Sequence, residues 1–517
     1  MTTRTLLRLA IAVAAAGYLA WTQFAPHSAA ATPAHAAATA AATAAAPRTL
    51  GRLAFAPCTL ATKLTTTTVS AQCTHMDVPE DWSHPDGRKI TLAIAWIPAD
   101  DDEAAPDPVF MLAGGPGQSA LESYPGSAPA FAETLKKRHL ILVDQRGTGQ
   151  SHRLDCKNPA GSAGADLSAA ADDPATIRKF TTQCRDELAK TSDLRLYTTT
   201  DAIADLDAVR QAIGAARIDL VGISYGTRVA QQYARTYAAH TRAVVLDSVA
   251  PNTLVFGNEF ARNLDDALAL NFALCAKVPA CARRAGDPRA SLDGLLARLK
   301  AQPQAVSYRD PLTGEYENGT LTRDDVAMLV RMYSYAPMLL ASLPMALADA
   351  RQGHYEALKA QAKMLGNSLS DSMTAGMQLS VICSEDGDGL KADPAMADSA
   401  LGNRLVDALK EQCAIWPHGR RPADFHQPLV SDLPVLLLEG EFDPVTPPRY
   451  GREVVKTLRN GRLLVLRGQG HNVIGVGCMP RLLARFLDTA DARSLDTRCL
   501  DALPYTPPFT SYNGWEP

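Results

Sequence analysis

The sequence predicts an α/β fold, in which helices cover both faces of a mostly parallel sheet and a large helical insertion interrupts that sheet. Three observations carry this prediction. Short apolar runs recur along the chain and stop at Gly, Asp or Ala, which is typical of strands buried on both faces. Helical patterns separate these runs. A long, mostly helical stretch then divides the runs into two groups.

The predicted strands stand on either side of that helical stretch. They cover residues 90–97, 109–112, 140–143, 218–221, 244–246, 435–438 and 463–466. Apolar side chains at helical spacing predict helices over 201–213, 227–238, 324–331 and 355–364. The domain organisation that follows is a first part of the core over 50–251, a helical cap over 252–428 and a second part of the core over 429–517.

The composition is that of an ordinary globular protein. The 517 residues are 46% hydrophobic and 21% charged, and the mean hydropathy is -0.09. These values argue against extended disorder, collagen and a polytopic membrane protein. The formal net charge is -4, and the longest Lys/Arg run is residues 136–138. A nucleic-acid surface needs clustered excess Lys and Arg, so nucleic acid is not an expected partner.

The N-terminus has the pattern of a secretory signal. Arg4 and Arg8 precede an apolar run over 9–20, and small residues follow at Ala34-His35-Ala36. We therefore predict a signal peptide over 1–36, a low-complexity linker over 37–49 and export to the periplasm or the extracellular space. A buried N-terminal helix is one alternative. Another is an uncleaved membrane anchor with aromatic residues at the interface.

Export changes how the ten cysteines are interpreted. No Cys-x-x-Cys occurs, so zinc-ribbon and thioredoxin-type sites lack their signature. An even number of cysteines in an oxidising compartment favours disulfides, and several free buried thiols are the alternative. Pairing in sequence order closes loops of modest length. Our hypothesis is Cys58–Cys73, Cys156–Cys184, Cys275–Cys281, Cys383–Cys413 and Cys478–Cys499.

One motif places a candidate nucleophile between a strand and a helix. Gly222-Ile223-Ser224-Tyr225-Gly226 follows the predicted strand 218–221 and precedes the predicted helix 227–238. A serine on such a sharp turn stands clear of the sheet, and glycines on both sides leave room for the tight backbone. The alternative is a glycine-rich turn without a catalytic role. In this context the motif predicts that Ser224 is a nucleophile.

A serine nucleophile needs a base and a carboxylate that orients the base. His471 comes directly after the strand 463–466, and Asp443 comes directly after the strand 435–438. Both would project from the strand ends at the sheet edge that carries Ser224. The separation of 28 residues leaves room for one helix and one strand. His418 and His426 rank lower because no strand immediately precedes them.

The developing oxyanion needs two N–H donors. The segment Leu112-Ala113-Gly114-Gly115-Pro116-Gly117 follows the strand 109–112, and its glycines allow the backbone to approach the oxyanion closely. We predict Gly115 and Tyr225 as the donors. Alone, the segment would be interpreted as a plain Gly/Pro turn.

Together with Asp144-Gln145-Arg146-Gly147-Thr148-Gly149-Gln150-Ser151, these segments resemble the proline iminopeptidase group of α/β hydrolases. The chain is most similar to the secreted, tripeptidyl-aminopeptidase-like branch of that group. The resemblance runs from about Cys58 to the C-terminus and is weakest in the cap. It implies an α/β-hydrolase fold with a Ser224-Asp443-His471 triad, peptide substrates with a free N-terminus, no metal and no diffusible cofactor. The segment from Asp144 is expected to be structural.

The resemblance also suggests how a substrate amine is recognised. Val381-Ile382-Cys383-Ser384-Glu385-Asp386 resembles the branch's cysteine-plus-acid segment, so Glu385 is the candidate anchor for the ammonium group and Asp386 the second choice. The alternative is an acid in a solvated loop beside a disulfide. The chain differs from enzymes that release only proline in its predicted signal, its cysteines and its longer cap. These differences favour release of di- or tripeptides.

The sequence leads to an exported serine exopeptidase. An esterase or lipase-like hydrolase is the first alternative, because a triad and an oxyanion hole serve any acyl transfer. A non-catalytic binding protein is the remote alternative. An amine anchor separates the first two, since an exopeptidase loses activity on N-acetylated substrates and an esterase does not.

Overall fold

A computed structural model describes residues 48–62, 66–156, 173–511 and 513–515. The predicted signal peptide and the linker as far as residue 47 lie outside the described residues. Within the described ranges, no helix combines the length and the apolarity needed to cross a membrane.

The core is a ten-stranded sheet in the order β1-β2-β3-β4-β6-β5-β7-β8-β11-β12. Strands β1 to β4 and the pair β4–β6 are antiparallel, and the strands from β6 to β12 in this order are parallel. The strand bounds are β1 Arg48–Leu50, β2 Leu53–Ala61, β3 Thr68–Pro79, β4 Lys89–Ile97, β5 Val109–Leu112, β6 Leu140–Val143, β7 Ile218–Ile223, β8 Thr241–Asp247, β11 Ser431–Gly440 and β12 Leu458–Leu466.

All predicted strands are present, so the predicted parallel sheet is confirmed. The sequence analysis missed β1, β2 and β3. These strands form an antiparallel edge in which buried and exposed residues are mixed, and Pro57 interrupts the apolar pattern of β2. Such half-exposed strands lack the continuous apolar run that identifies the buried parallel strands.

Side chains of successive strand residues enter two separate cores, one on each face of the sheet. Val109 and Met111 belong to one core, and Phe110 and Leu112 belong to the other. Helices cover both faces. The helices of the core are α1 Ala120–Leu135, α2 Pro174–Leu188, α3 Thr199–Ala212, α4 Tyr225–Thr236, α13 Pro448–Val454 and α14 Met479–Thr489. Helices α1 and α14 pack together on the first core, while α3 and α4 contribute to the second.

The segment between β8 and β11 forms the insertion, which has a hydrophobic core of its own that includes Leu264, Leu295, Leu329 and Leu343. Its helices are α5 Phe260–Lys277, α6 Pro279–Ala285, α7 Pro288–Ala301, α8 Arg323–Tyr333, α9 Pro337–Arg351, α10 Glu356–Ser372, α11 Ala375–Glu385 and α12 Arg404–Cys413. The insertion is mostly helical, but the sequence analysis missed two strands in it. They form an antiparallel pair, β9 Gln304–Arg309 and β10 Tyr316–Leu321. These strands are largely exposed, so their sequence lacks a buried apolar run.

The ten cysteines pair in sequence order, as predicted. The disulfides are Cys58–Cys73, Cys156–Cys184, Cys275–Cys281, Cys383–Cys413 and Cys478–Cys499. Cys383–Cys413 joins α11 to α12 and thereby fixes the end of the helix that carries Glu385.

Candidate active site

Ser224 occupies a sharp turn between β7 and α4. Its backbone has φ +57° and ψ -122°, in the region that non-glycine residues rarely adopt. A side chain at Gly226 would lie 2.2 Å from the Leu112 carbonyl oxygen, and one at Gly222 would lie 2.3 Å from the Gly226 carbonyl oxygen. Only glycine fits at these two positions. The tight turn therefore depends on the glycines that the motif supplies.

Asp443 and His471 meet at the same edge of the sheet. Asp443 follows β11, His471 follows β12, and the His471 Nδ1 atom lies 2.7 Å from the Asp443 Oδ2 atom. The Asp443 carboxylate is 1% exposed and also accepts hydrogen bonds from the N–H groups of Val445 and Thr446, each at 2.8 Å. A carboxylate at Nδ1 favours the tautomer that carries the proton there. That tautomer leaves Nε2 as an acceptor.

Ser224 reaches the same edge through the order of the strands. Its strand, β7, pairs with β8, which pairs with β11 and so leads to β12. Parallel strands place their carboxyl ends together, which is where ligands bind in open α/β sheets. The structure thus brings the three predicted triad residues to the same edge of the sheet, at the ends of β7, β11 and β12. The Ser224 hydroxyl makes no hydrogen bond with any described residue, and such contacts commonly tighten only when substrate binds.

The Gly/Pro segment after β5 lies against the Ser224 turn. A side chain at Gly114 would lie 3.1 Å from the Ser224 Cβ atom, whereas Gly115, the predicted donor, has its close neighbours within its own turn. Gly115 has φ +109°, so a residue with a side chain would be strained there. Tyr225, the other predicted donor, is the first residue of α4, where N–H groups are free of intrahelical partners.

The segment from Asp144 ties the end of β6 to its surroundings. Asp144 is fully buried and accepts hydrogen bonds from Ser119 Oγ at 2.6 Å and from the N–H groups of Leu121 and Gln150 at 3.0 Å. Arg146 makes a buried ion pair with Asp205 at 2.6 Å. The charged groups of Asp144 and Arg146 are therefore bound within the protein interior, as expected of a structural segment.

Glu385 is connected through Thr199 to Tyr225, the residue after Ser224. Its carboxyl group accepts from the Thr199 N–H at 2.6 Å and from Thr199 Oγ1 at 3.0 Å, and Thr199 Oγ1 lies 2.7 Å from the Tyr225 hydroxyl. Glu385 is 1% exposed. Burial raises its pKa to about 8, against the opposing effects of Arg228 and Thr199.

Asp386, the second predicted anchor, has a different partner. It lies 2.8 Å from Arg228, and both side chains are fully buried. Arg228 also lies 3.9 Å from Glu385, but of the two acids it is Glu385 that accepts the Thr199 hydrogen bonds leading to the Tyr225 hydroxyl.

Three residues near the site were not singled out from the sequence. Thr199 bridges Glu385 and Tyr225, and Gln145 donates from Nε2 to the Tyr225 hydroxyl at 3.1 Å. Tyr335 of the cap accepts the His471 N–H at 2.9 Å through its carbonyl oxygen. Its ring also meets the imidazole edge to face, with centroids 5.0 Å apart. In the sequence, only the start of α3 has a local signal, which is the Thr198–Asp201 capping box. The contacts of Thr199, Gln145 and Tyr335 arise from tertiary packing.

The cap also contacts the loop on the other side of Ser224. The Thr374 N–H, immediately before α11, donates to the Gly117 carbonyl oxygen at 3.0 Å. Cap segments therefore touch both the Gly/Pro segment and the His471 loop. Among the described residues, no group of three or more His, Cys, Asp or Glu side chains is arranged to hold a metal ion.

Residues 107–477 match the model of the alpha/beta hydrolase fold family. The chain belongs to this family and is an enzyme of it.

Among curated relatives, the serine protease Hip1 of Mycobacterium tuberculosis is 25% identical over 461 residues, covering 81% of this chain and 85% of the relative. The tripeptidyl aminopeptidase of Streptomyces coelicolor is 24% identical over 463 residues, 83% of each chain. Carboxylesterase B of Mycobacterium tuberculosis is 30% identical over 267 residues, or 47% of this chain and 51% of the relative.

Proposed function

We propose that the protein is an exported serine exopeptidase that releases short N-terminal units, either di- and tripeptides or proline, from peptides. The observation that carries the proposal is the buried contact of 2.7 Å between His471 and Asp443, at the sheet edge where Ser224 occupies its strained turn. The two relatives that match over more than four-fifths of the chain are named as peptidases, which supports peptide substrates. The disulfides support export.

In the proposed reaction, His471 takes the Ser224 proton at Nε2 while Asp443 holds the Nδ1 proton. Ser224 Oγ then attacks the scissile carbonyl carbon, and the N–H groups of Gly115 and Tyr225 stabilise the oxyanion. Collapse of the tetrahedral intermediate breaks the C–N bond, and His471 returns the proton to the leaving amine. Water deprotonated by His471 hydrolyses the acyl-enzyme and restores Ser224.

Recognition of a free N-terminus requires a negative group for the ammonium ion. Glu385 is the proposed anchor, because its network leads through Thr199 to Tyr225. Its raised pKa of about 8 means that the carboxyl group is largely neutral in the substrate-free protein near pH 7. A substrate ammonium ion beside it would favour the ionised form.

The main alternative is an esterase, and the similarity to a carboxylesterase over about half of the chain is the observation in its favour. Both functions use the same triad, so they differ only in whether a free amine is needed.

A matched substrate panel tests the proposal. It contains Pro-, Ala-Ala- and Ala-Ala-Pro conjugates of one chromogenic amine, each with free and acetylated N-termini, and a short-chain ester. We expect cleavage of the free-amine conjugates alone and loss of all turnover in Ser224→Ala. Cleavage of the ester alone would favour the esterase, and activity of Ser224→Ala near that of the wild type would exclude the triad.

The same panel tests the amine anchor. Glu385→Gln is expected to lower kcat/KM for free-amine conjugates at least tenfold, while any ester hydrolysis changes less than twofold. The matched control is Asp388→Asn, which neutralises an exposed acid three residues further along. Equal losses on both substrate classes would remove Glu385 from amine recognition.

A further inference from the structure

Three consecutive backbone N–H groups after the catalytic histidine are held by the end of β8. Asn472 donates to Ser248 Oγ at 2.8 Å, Val473 donates to Asp247 Oδ1 at 2.9 Å, and Ile474 donates to Asp247 Oδ2 at 3.1 Å. The side chains of Asp247 and Ser248 therefore hold the loop after His471 to the end of β8, two strands away from β12 in the sheet.

Asp247 also holds the nucleophile. Its carbonyl oxygen accepts the Ser224 N–H at 2.9 Å. One residue thus contacts the Ser224 backbone through its main chain and the loop after His471 through its carboxylate.

Burial of Asp247 and backbone strain at Ser248 are both energetically unfavourable, and the hydrogen bonds of these residues must offset them. Asp247 and Ser248 are both 0% exposed, and burying a carboxylate without hydrogen bonds is strongly unfavourable. Ser248 has φ +61°, a strained conformation for serine, and is held there by its N–H bond to the Leu438 carbonyl oxygen at 2.9 Å. A buried carboxyl group and a strained residue therefore lie side by side at the end of β8, where they contact the Ser224 backbone and the loop after His471.

We propose that Asp247 is a positioning residue that sets the place of the His471 loop relative to Ser224, and that Ser248 assists it. Asp443 orients the imidazole ring through Nδ1, and its other hydrogen bonds come from Val445 and Thr446 rather than from the residues after His471. Loop position therefore needs a separate support. If the loss of this support displaced His471 by about 1 Å, the rate could fall about 10²-fold. The inference rests on the proposed acyl transfer by the triad.

Asp247→Asn tests the proposal with almost no change of volume. Asparagine keeps one acceptor oxygen but turns an NH2 group towards a backbone N–H, so one amide of the loop loses its partner. We expect kcat to fall roughly 10- to 100-fold, with KM within twofold of the wild type, because the substrate site is untouched. Ser248→Ala is expected to show a smaller loss of the same kind.

The matched control is Asp219→Asn. Asp219 is an equally buried carboxylate near the start of β7, at the other end of the sheet, where it lies 2.7 Å from Arg242. Its substitution is expected to lower the melting temperature without changing kcat per folded molecule. If Asp247→Asn lost activity only in proportion to its folded fraction, as a structural residue would, the proposal would be overturned.

A double variant tests whether Asp247 acts through His471. In His471→Ala, the residual rate no longer depends on the histidine, so Asp247→Asn should change that rate less than twofold. An undiminished loss in that background would show that Asp247 acts elsewhere. Turnover by Ser224→Ala would refute the proposed function itself. If Ser224→Ala were inactive but Asp247→Asn kept the wild-type kcat, only the inference about Asp247 would be refuted.

Discussion

The Asp443 carboxylate accepts four hydrogen bonds, and these fix it before any substrate arrives. Oδ1 accepts from the N–H groups of Val445 and Thr446, and Oδ2 accepts from Thr446 Oγ1 and the His471 ring. Every donor except the imidazole belongs to the turn that follows Asp443 itself. The carboxylate therefore has a fixed orientation of its own, which is the preorganisation that its proposed role of orienting His471 requires.

This arrangement predicts the effect of Asp443→Asn. The amide would present an N–H group towards Nδ1 and favour the tautomer with the proton on Nε2, which cannot accept the Ser224 proton. We expect kcat to fall about 10⁴-fold with little change in KM or folding. Steady-state kinetics together with circular dichroism measure both quantities. A loss of less than tenfold would mean that another group orients His471.

Helix α11 connects the two sides of the candidate site. The residue before it, Thr374, bonds to Gly117 of the Gly/Pro segment, and the helix ends at Glu385. The Cys383–Cys413 disulfide anchors this end to α12. The position of the proposed amine anchor is therefore set by a helix that is fastened at both ends.

Removal of that disulfide, as Cys383→Ser with Cys413→Ser, should lower the free energy of unfolding by about 2–4 kcal/mol. It should also weaken discrimination between free and acetylated substrates, because the end of α11 gains freedom. The paired control is Cys58→Ser with Cys73→Ser, which frees the β2–β3 edge instead. Denaturant unfolding and the substrate panel give both readouts. Equal discrimination in the two variants would contradict the role of α11.

Across the whole molecule, buried acids give the stability a definite pH dependence. Burial raises the pKa of Glu385 from 4.5 to about 8 and that of Asp219 from 3.8 to about 7. The folded state then binds more protons than the unfolded state between the ordinary and the raised values, so stability falls as pH rises. Asp207 acts oppositely. Although burial opposes the change, hydrogen bonds from Arg210, Gln211 and Tyr233 lower its pKa to about 2.

We therefore expect the melting temperature to be highest in mild acid, near pH 4 to 5, and to fall towards pH 8. Glu385→Gln, which is permanently neutral, should flatten the slope between about pH 4.5 and 8. Calorimetry over this range tests the expectation. Glu103→Gln, on an exposed loop, is the control that should keep the wild-type slope. A Glu385→Gln slope equal to that of the wild type would contradict the expectation.

Most of the parallel sheet could be predicted because its strands are buried on both faces and leave continuous apolar runs. Val109–Leu112 and Leu140–Val143 have the predicted bounds. The edge strands and the β9–β10 pair could not be recognised in this way, since their half-exposed residues mix polar and apolar side chains. The same reasoning predicted that Ser224, Asp443 and His471 lie at strand ends, because each follows a recognisable strand.

The sequence by itself determined the parallel strands and the position of three residues at their ends, because both depend on local pattern and chain order. The cysteine pairing was a hypothesis from chain order, which the structure confirms. Tertiary structure alone decided the contacts of Asp247, Thr199 and Tyr335. Their partners lie far away along the chain, and nothing local distinguishes them from ordinary buried or helix-capping residues. The difference has a physical cause: periodicity records which side of an element is buried, whereas the partner of a buried polar atom is set only when elements pack together.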